Sequence, residues 1–308
     1  MGSSLLSAVH HSVDSWAHPS GKINPVKHGI GRILWPVDQS ARLTRFAWSH
    51  RANQGRVSQS SLATLRLARL WVSARILHRP AIVPIGTKSV IVADPGRFAS
   101  LKAAFANPPD FPEMLVWSNY LRPGDLFIDV GANVGSYTVW AADLGAQVIA
   151  LEPVQETFQI MLENVRLNGY DVQALQAAAG TACGTTRFTS GFDDQNRIDS
   201  TGDIEVEMVA MDSVIGDRKV AGMKIDVEGF EIDVLRGCER ALQEQRIGLL
   251  QLEWNSTSEG AVNADRTSIV DLLGAYGYGL YRPDNAGALV PVTDHGYGRD
   301  VFAQPSPV

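Results

Sequence analysis

Leu126-Phe127-Ile128-Asp129-Val130-Gly131-Ala132-Asn133-Val134-Gly135 is the stretch on which the fold turns. Leu126, Phe127, Ile128 and Val130 make a short apolar run, the pattern of a strand buried on both faces. Two glycines end it, and a helical stretch from Ser136 to Leu144 follows. Tyr137, Trp140, Ala141 and Leu144 share one face of that helix, and Gly145 stands at its stop. A strand that turns through glycine into a helix offers a ligand bare backbone and unpaired N–H groups.

The charge in this turn selects the ligand. A dinucleotide-binding turn reads G-x-G-x-x-G, so that a pyrophosphate can sit on the helix N-terminus. Here two of the three glycines are missing, and Asp129 places a carboxylate where a pyrophosphate would be repelled. An anion beside a glycine turn suits a cationic ligand, and S-adenosylmethionine carries a sulfonium and an ammonium. Gln147–Leu151 reads as the next strand and ends at Glu152-Pro153, 21 residues past Gly131, the spacing of an acid that binds ribose hydroxyls. Asp129, Gly131, Asn133, Gly135, Glu152 and Pro153 are therefore the expected cofactor-binding residues.

Downstream, Val154, Phe158, Met161, Leu162 and Val165 mark a helix that Asn168-Gly169 stops, and Val172–Ala179 is expected as a third strand. Thr185–Ser190 and Glu205–Met211 read as two more strands. The polar connector 191–204 between them is long enough to act as a lid over the acceptor. In Met223-Lys224-Ile225-Asp226-Val227-Glu228-Gly229 three charged residues alternate with apolar ones, so they share one side of an extended segment. Buried charges are costly unless paired, which places these at the carboxyl end of a strand, where open α/β sheets bind ligands. One helix carrying Ile232, Leu235, Cys238 and Leu242 inward should follow, then a strand Ile247–Leu252 ending at Glu253, a helix Thr267–Tyr276 and short terminal strands. Strand and helix alternate from Leu126 to Tyr276, which predicts a mostly parallel sheet with helices on both faces.

Upstream, Ile82–Ile85 and Ser89–Ala93 should form a hairpin about Gly86-Thr87, followed by helices at Phe98–Phe105 and Glu113–Leu121. Asn107-Pro108-Pro109-Asp110 resembles the Asn-Pro-Pro-aromatic loop of amino-group methyltransferases, but Asp110 replaces the aromatic residue, and the segment reads as a turn.

The 308 residues, 45% hydrophobic, can bury a real core. Cys183 and Cys238 form no C-x-x-C, so neither a disulfide framework nor a zinc site is indicated. No apolar run approaches about 20 residues, and no secretion signal is evident, so a cytoplasmic protein is expected. The net charge of −6 hides an asymmetry: residues 1–80 hold 11 Lys and Arg against Asp14 and Asp38, a balance of +9, and the remainder carries −15. Residues 1–80 thus read as a basic extension and 81–308 as the catalytic domain. The extension is either an organelle transit segment or a surface for an anionic partner, a membrane or the acidic body of the chain itself. Within it, 20–57 is rich in Gly, Pro and polar residues. Ser60–His78 should be a helix whose Leu62, Leu65, Arg69, Val72 and Ile76 face packs on the domain.

The motifs at 123–135, Glu152-Pro153, Met211-Asp212-Ser213 and Lys224-Ile225-Asp226-Val227-Glu228-Gly229-Phe230-Glu231 together resemble the FkbM family of S-adenosylmethionine-dependent methyltransferases. The resemblance spans roughly 113–255. It implies the Rossmann-like methyltransferase fold, a seven-stranded sheet with its last strand antiparallel, and methyl transfer to oxygen, commonly of a sugar or natural product. Phe230 stands where the family more often has a small residue.

A hydroxyl needs a proton acceptor within hydrogen-bond reach before it attacks a methyl group. The candidates are Asp226, Glu228, Glu253 and His295, with Lys224 as counter-charge; Asp226 or Glu228 is favoured as base. A divalent metal on Asp226, Glu228 and Glu253 is possible, but no ligand spacing demands one, and none is expected. The expected acceptor is a small molecule, glycan or glycolipid. An RNA methyltransferase would need recognition features the sequence lacks, and a non-catalytic binder would be expected to carry a damaged motif. The sequence gives no oligomeric state.

Overall fold

The computed structural model describes parts of 65–76 and residues 81–93, 102–104, 106–190, 196–254, 266–292 and 300–306. The readings of 20–57, of His295 and of most of the Phe98–Phe105 helix lie outside the described residues; 102–104 are helical.

Strands β1 (Ala81–Ile85) and β2 (Ser89–Ala93) form the expected hairpin, and helix α1 (Glu113–Tyr120) leads into the core. The alternating unit then runs β3 (Leu126–Val130), α2 (Ser136–Asp143), β4 (Gln147–Leu151), α3 (Gln155–Leu167), β5 (Val172–Leu175). Three strands, β6 (Ala178–Gly180), β7 (Gly184–Phe188) and β8 (Ile204–Ala210), form a separate small sheet ordered β6-β8-β7. After it come α4 (Met211–Ile215), β9 (Val220–Ile225), α5 (Glu231–Arg236), α6 (Glu239–Gln243), β10 (Ile247–Leu252) and α7 (Arg266–Ala275). The chain finishes with β11 (Tyr278–Pro283), β12 (Leu289–Pro291) and β13 (Val301–Pro305).

The main sheet is ordered β12-β11-β13-β10-β9-β3-β4-β5. Strands β10, β9, β3, β4 and β5 pair in parallel, and β13 lies antiparallel between β10 and β11. The antiparallel last strand is as expected, but the sheet has eight strands and not seven, because β12 folds back on β11 and extends the edge.

Both faces are covered. Ile128, Val130, Ile149, Leu151, Met223, Ile225, Leu250 and Leu252 point to one side and pack with residues of α4, α5, α6 and α7. On the other side Ala150 meets Phe158 and Met161 of α3, and Trp117 of α1 lies edge-on to Phe127. Gly222 of β9 makes room for that indole: a Cβ there would come within 2.3 Å of Trp117. Strand residues two apart share a face, so this second side also carries Asp129, Lys224 and Gln251, in lateral register across β3, β9 and β10. The sheet thus holds a buried polar row near the carboxyl ends of its central strands.

Three expectations need correction. Val172–Ala179 is two strands, β5 in the main sheet and β6 in the small one. The helix after Gly229 is also two, α5 and α6, broken at Gly237, where a Cβ would come within 2.0 Å of the Gly180 carbonyl oxygen of β6. In the 65–76 segment, 65–66, 68–70 and 72–73 are helical, but Leu65 and Ile76 are 65% and 60% exposed and Leu70 is buried. Leu70 lies across the helix from Leu65 at 3.6 residues per turn, so Leu65, Val72 and Ile76 of the predicted inward stripe face outward.

Candidate active site

A cavity of about 290 Å³ opens where β3, β4, β9 and β10 end, the position at which open α/β sheets bind ligands. The turns that follow these four strands form much of its wall. From the glycine turn come Gly131, Ala132, Asn133 and Val134; from the end of β4, Glu152 and Pro153; from the end of β9, Asp226, Val227, Glu228 and Phe230. Glu253 closes the end of β10.

The turn needs its first glycine twice over. Gly131 has φ +76°, and a Cβ on it would come within 1.9 Å of the Asp226 carbonyl oxygen. The chain after β3 therefore lies directly against the chain after β9, which brings the two informative motifs into one wall. Asn133 (φ +50°) and Gly135 (φ +86°) complete the left-handed turn into α2.

Glu152 is 7% exposed, and its two oxygens accept from Asn133 N (3.0 Å) and Val154 N (2.9 Å). Burial pushes its carboxyl up to about 7, against the downward pull of those two N–H groups. The glycine turn is thus fixed to the acid expected to bind ribose. Asp129 and Gly135, by contrast, do not line the cavity. Asp129 is fully buried; its Oδ2 accepts from Thr138 Oγ1 at 2.6 Å, which ties β3 to α2. Burial holds its carboxyl above the usual range. Its charge suggested a direct contact with the cofactor, but its side chain anchors the turn and does not face the cavity.

The Lys224-Asp226-Glu228 trio is only partly in the strand. β9 ends at Ile225, and Glu228 sits in the following turn at φ +53°. Lys224 is buried, its Nζ 2.8 Å from Asp226 Oδ2 and 4.8 Å from the centre of the Tyr137 ring. Burial alone would lower its pKa, but Asp226 and Asp129 outweigh it and hold the ammonium charged. In return Lys224 overcomes the burial of Asp226 and keeps that carboxylate below its usual range. Glu253, 8% exposed, is pushed up to about 10 by burial and by Asp226 and Glu228 beside it. Ligand atoms of Asp226, Glu228 and Glu253 lie within 4.8 Å of one another, so the trio could hold a divalent cation, or can relieve its charge by keeping a proton on Glu253.

Other wall residues were not singled out from the sequence. Lys102 and Asp110, an ion pair at 3.3 Å, line the cavity with Pro109, so the segment read as a turn is also part of the site. Tyr137, read as a core residue, lines it from α2; its hydroxyl accepts from Gln251 Nε2 at 3.0 Å. Phe188, Asn196 and Ile198 reach it from the small sheet and the return of the 191–204 connector. That return is already fastened: Thr189 N donates to the Arg197 oxygen and Asp199 N to the Arg187 oxygen, at 2.9 and 3.0 Å.

The donor set fits S-adenosylmethionine. Glu152 suits its ribose, and Ala177, Ala178, Ala179 and Phe188 give an apolar wall for its base. Fold and site together define an S-adenosylmethionine-dependent methyltransferase domain. Residues 129–280 match the methyltransferase FkbM domain, and the domain belongs to that family.

Among curated proteins, the hexuronic acid methyltransferase AglP of Haloferax volcanii is 25% identical over 134 residues, 42% of this chain and 56% of that protein. The 31-O-demethyl-FK506 methyltransferase FkbM of Streptomyces tacrolimicus is 29% identical over 161 residues, 39% of this chain and 62% of that protein. The chain therefore spans somewhat over half the length of the curated relatives it matches. Among solved structures, magnesium protoporphyrin IX methyltransferase (ChlM) of Synechocystis PCC 6803 with bound SAM is 16% identical. It aligns over 62% of this chain and 74% of that one with a TM-score of 0.38, too low to carry weight beside the strand order itself.

Proposed function

We propose that the protein transfers a methyl group from S-adenosylmethionine to a hydroxyl oxygen of a sugar, glycolipid or natural-product acceptor. The observation that carries this reading is the convergence of Asp226, Glu228 and Glu253 within 4.8 Å, against the glycine turn. S-adenosylmethionine supplies an electrophilic methyl on a sulfonium. The chain's contribution is to hold the acceptor oxygen in line and to accept its proton, the first by positioning and the second by a carboxylate within hydrogen-bond reach. Asp226, kept ionised by Lys224, or Glu228 takes that proton. Glu253, which holds its own proton at neutral pH, donates a hydrogen bond and is not the base.

Carboxylates also accept hydrogen bonds from the hydroxyls of a polyol. The two curated relatives favour the same chemistry: one name specifies a hexuronic acid and the other an oxygen of a natural product. Asp110, Asp226 and Glu228 around one cavity would repel an RNA backbone. Incubation of the full chain with methyl-labelled S-adenosylmethionine and panels of glycosides, glycolipids and RNA tests the reading. Label in the hydroxylated acceptors is expected. Label in RNA alone, or in nothing while S-adenosylhomocysteine still binds, would overturn it.

A further inference from the structure

The β1–β2 hairpin lies upstream of the matched domain, yet its backbone is clasped by side chains of the domain. Asp143 accepts from Thr87 N, Thr87 Oγ1 and Ser89 Oγ, at 2.9, 2.9 and 2.6 Å. Asn168 takes both backbone groups of Val90: Oδ1 accepts from its N at 2.8 Å and Nδ2 donates to its oxygen at 2.7 Å. One turn earlier on α3, Asn164 does something different. Its Oδ1 accepts from Val92 N and its Nδ2 donates to the Val134 carbonyl oxygen, both at 2.8 Å. Val134 belongs to the glycine turn that lines the cavity.

The partners fix the amide's orientation, since an N–H must meet the oxygen and a carbonyl must meet the nitrogen. Asn164 is fully buried, so neither bond can be replaced by solvent without opening the structure. Met161, three residues back on the same helix face, also supports the turn: a Cβ on Gly135 would come within 2.9 Å of its Cγ. Helix α3 thus backs the glycine turn and grips the hairpin with the same residue.

We infer that Asn164 is a positioning residue that couples the hairpin to the glycine turn, so that the cofactor-binding unit begins at residue 81 and not at residue 129. Coupling of this kind is reciprocal: ligand in the cavity steadies Val134, Val134 steadies Asn164, and Asn164 steadies β2. The inference rests on the cofactor reading, and the experiment separates the two.

In the full-length chain, S-adenosylhomocysteine should slow hydrogen exchange at the Val92 amide, a measurement that needs no variant. Asn164→Asp keeps the oxygen that Val92 N uses and removes the donor to Val134. It should weaken S-adenosylhomocysteine binding about tenfold, the worth of one buried hydrogen bond, and abolish the Val92 response. Asn168→Asp adds the same charge at the end of the same helix and loses the donor to the Val90 and Asn164 carbonyl oxygens, but no bond to the glycine turn; its affinity should stay within about twofold of wild type. Equal losses in the two variants would mean a general effect of helix charge and would overturn the coupling. So would undiminished affinity in Asn164→Asp, or a Val92 amide indifferent to ligand in the wild type. If the wild type fails to bind S-adenosylhomocysteine at all, the cofactor reading falls and this inference falls with it.

Discussion

Glu253 shows how much a single carboxyl can be asked to absorb. It is buried beside two other acids, and its pKa is held near 10, against an ordinary value of 4.5. A carboxyl whose folded pKa is raised contributes stability that is complete below its unfolded pKa and is lost as pH climbs toward the folded value. For Glu253 that window runs from about 4.5 to 10. Glu253→Gln mimics the protonated form and escapes the loss. The variant's melting temperature should match wild type near pH 5 and exceed it at pH 9 by several °C, since each pH unit inside the window costs wild type up to about 1.4 kcal/mol. A gap that stays constant between those pH values would show that Glu253 does not keep its proton.

Among the elements, the return of the 191–204 connector departs furthest from expectation. Its length and polarity predicted a lid that orders only over bound acceptor, yet 196–204 runs beside β7 with backbone hydrogen bonds at Thr189 and Asp199. The amides of Thr189 and Asp199 should therefore exchange slowly in the ligand-free protein, and rates typical of an open loop would restore the lid. The same contrast explains what was legible. The glycine turn, Glu152 and the Lys224–Gly229 motif could be read because the spacing that places them is local: each sits one turn beyond a strand. Lys102, Asp110, Phe188 and Asn196 reach the cavity by tertiary packing, which leaves no period in the sequence. Asn164 reads as one more polar position on an amphipathic helix, and only its two partners reveal its task. Leu65, Val72 and Ile76 were legible as a stripe but not in their direction, because a stripe records amphipathicity and not which side is covered.

For the whole molecule, charge divides where composition changes. Residues 1–80 carry +9 and the remainder −15, and the outward stripe of Leu65, Val72 and Ile76 sits within the basic part beside exposed Arg69. No helix among the described residues is long and apolar enough to cross a membrane. An apolar stripe edged with arginine is what a helix lying on an anionic membrane presents. We propose that residues 1–80 bring the protein to an anionic acceptor or surface. A chain starting near Arg79 should keep its S-adenosylhomocysteine affinity but show a Michaelis constant for acceptor several-fold higher at low salt. That difference should vanish at 1 M salt, where the Debye length is roughly 3 Å. A salt-independent difference would point to packing as the cause, and failure to fold would make the segment part of the core.

The strand order has a further consequence, for synthesis. β13 is the last strand in the chain, yet it lies between β10 and β11 and supplies both with their hydrogen-bonding partner. Until residues 301–305 have been made, β10 has an open edge and β11 with β12 has nothing to join them to the rest of the sheet. Pairings this distant in sequence come late and slowly, and an uncovered strand edge is the feature that nascent chains most need protected. A growing chain therefore holds this sheet in two parts until residues 301–305 are available to close it.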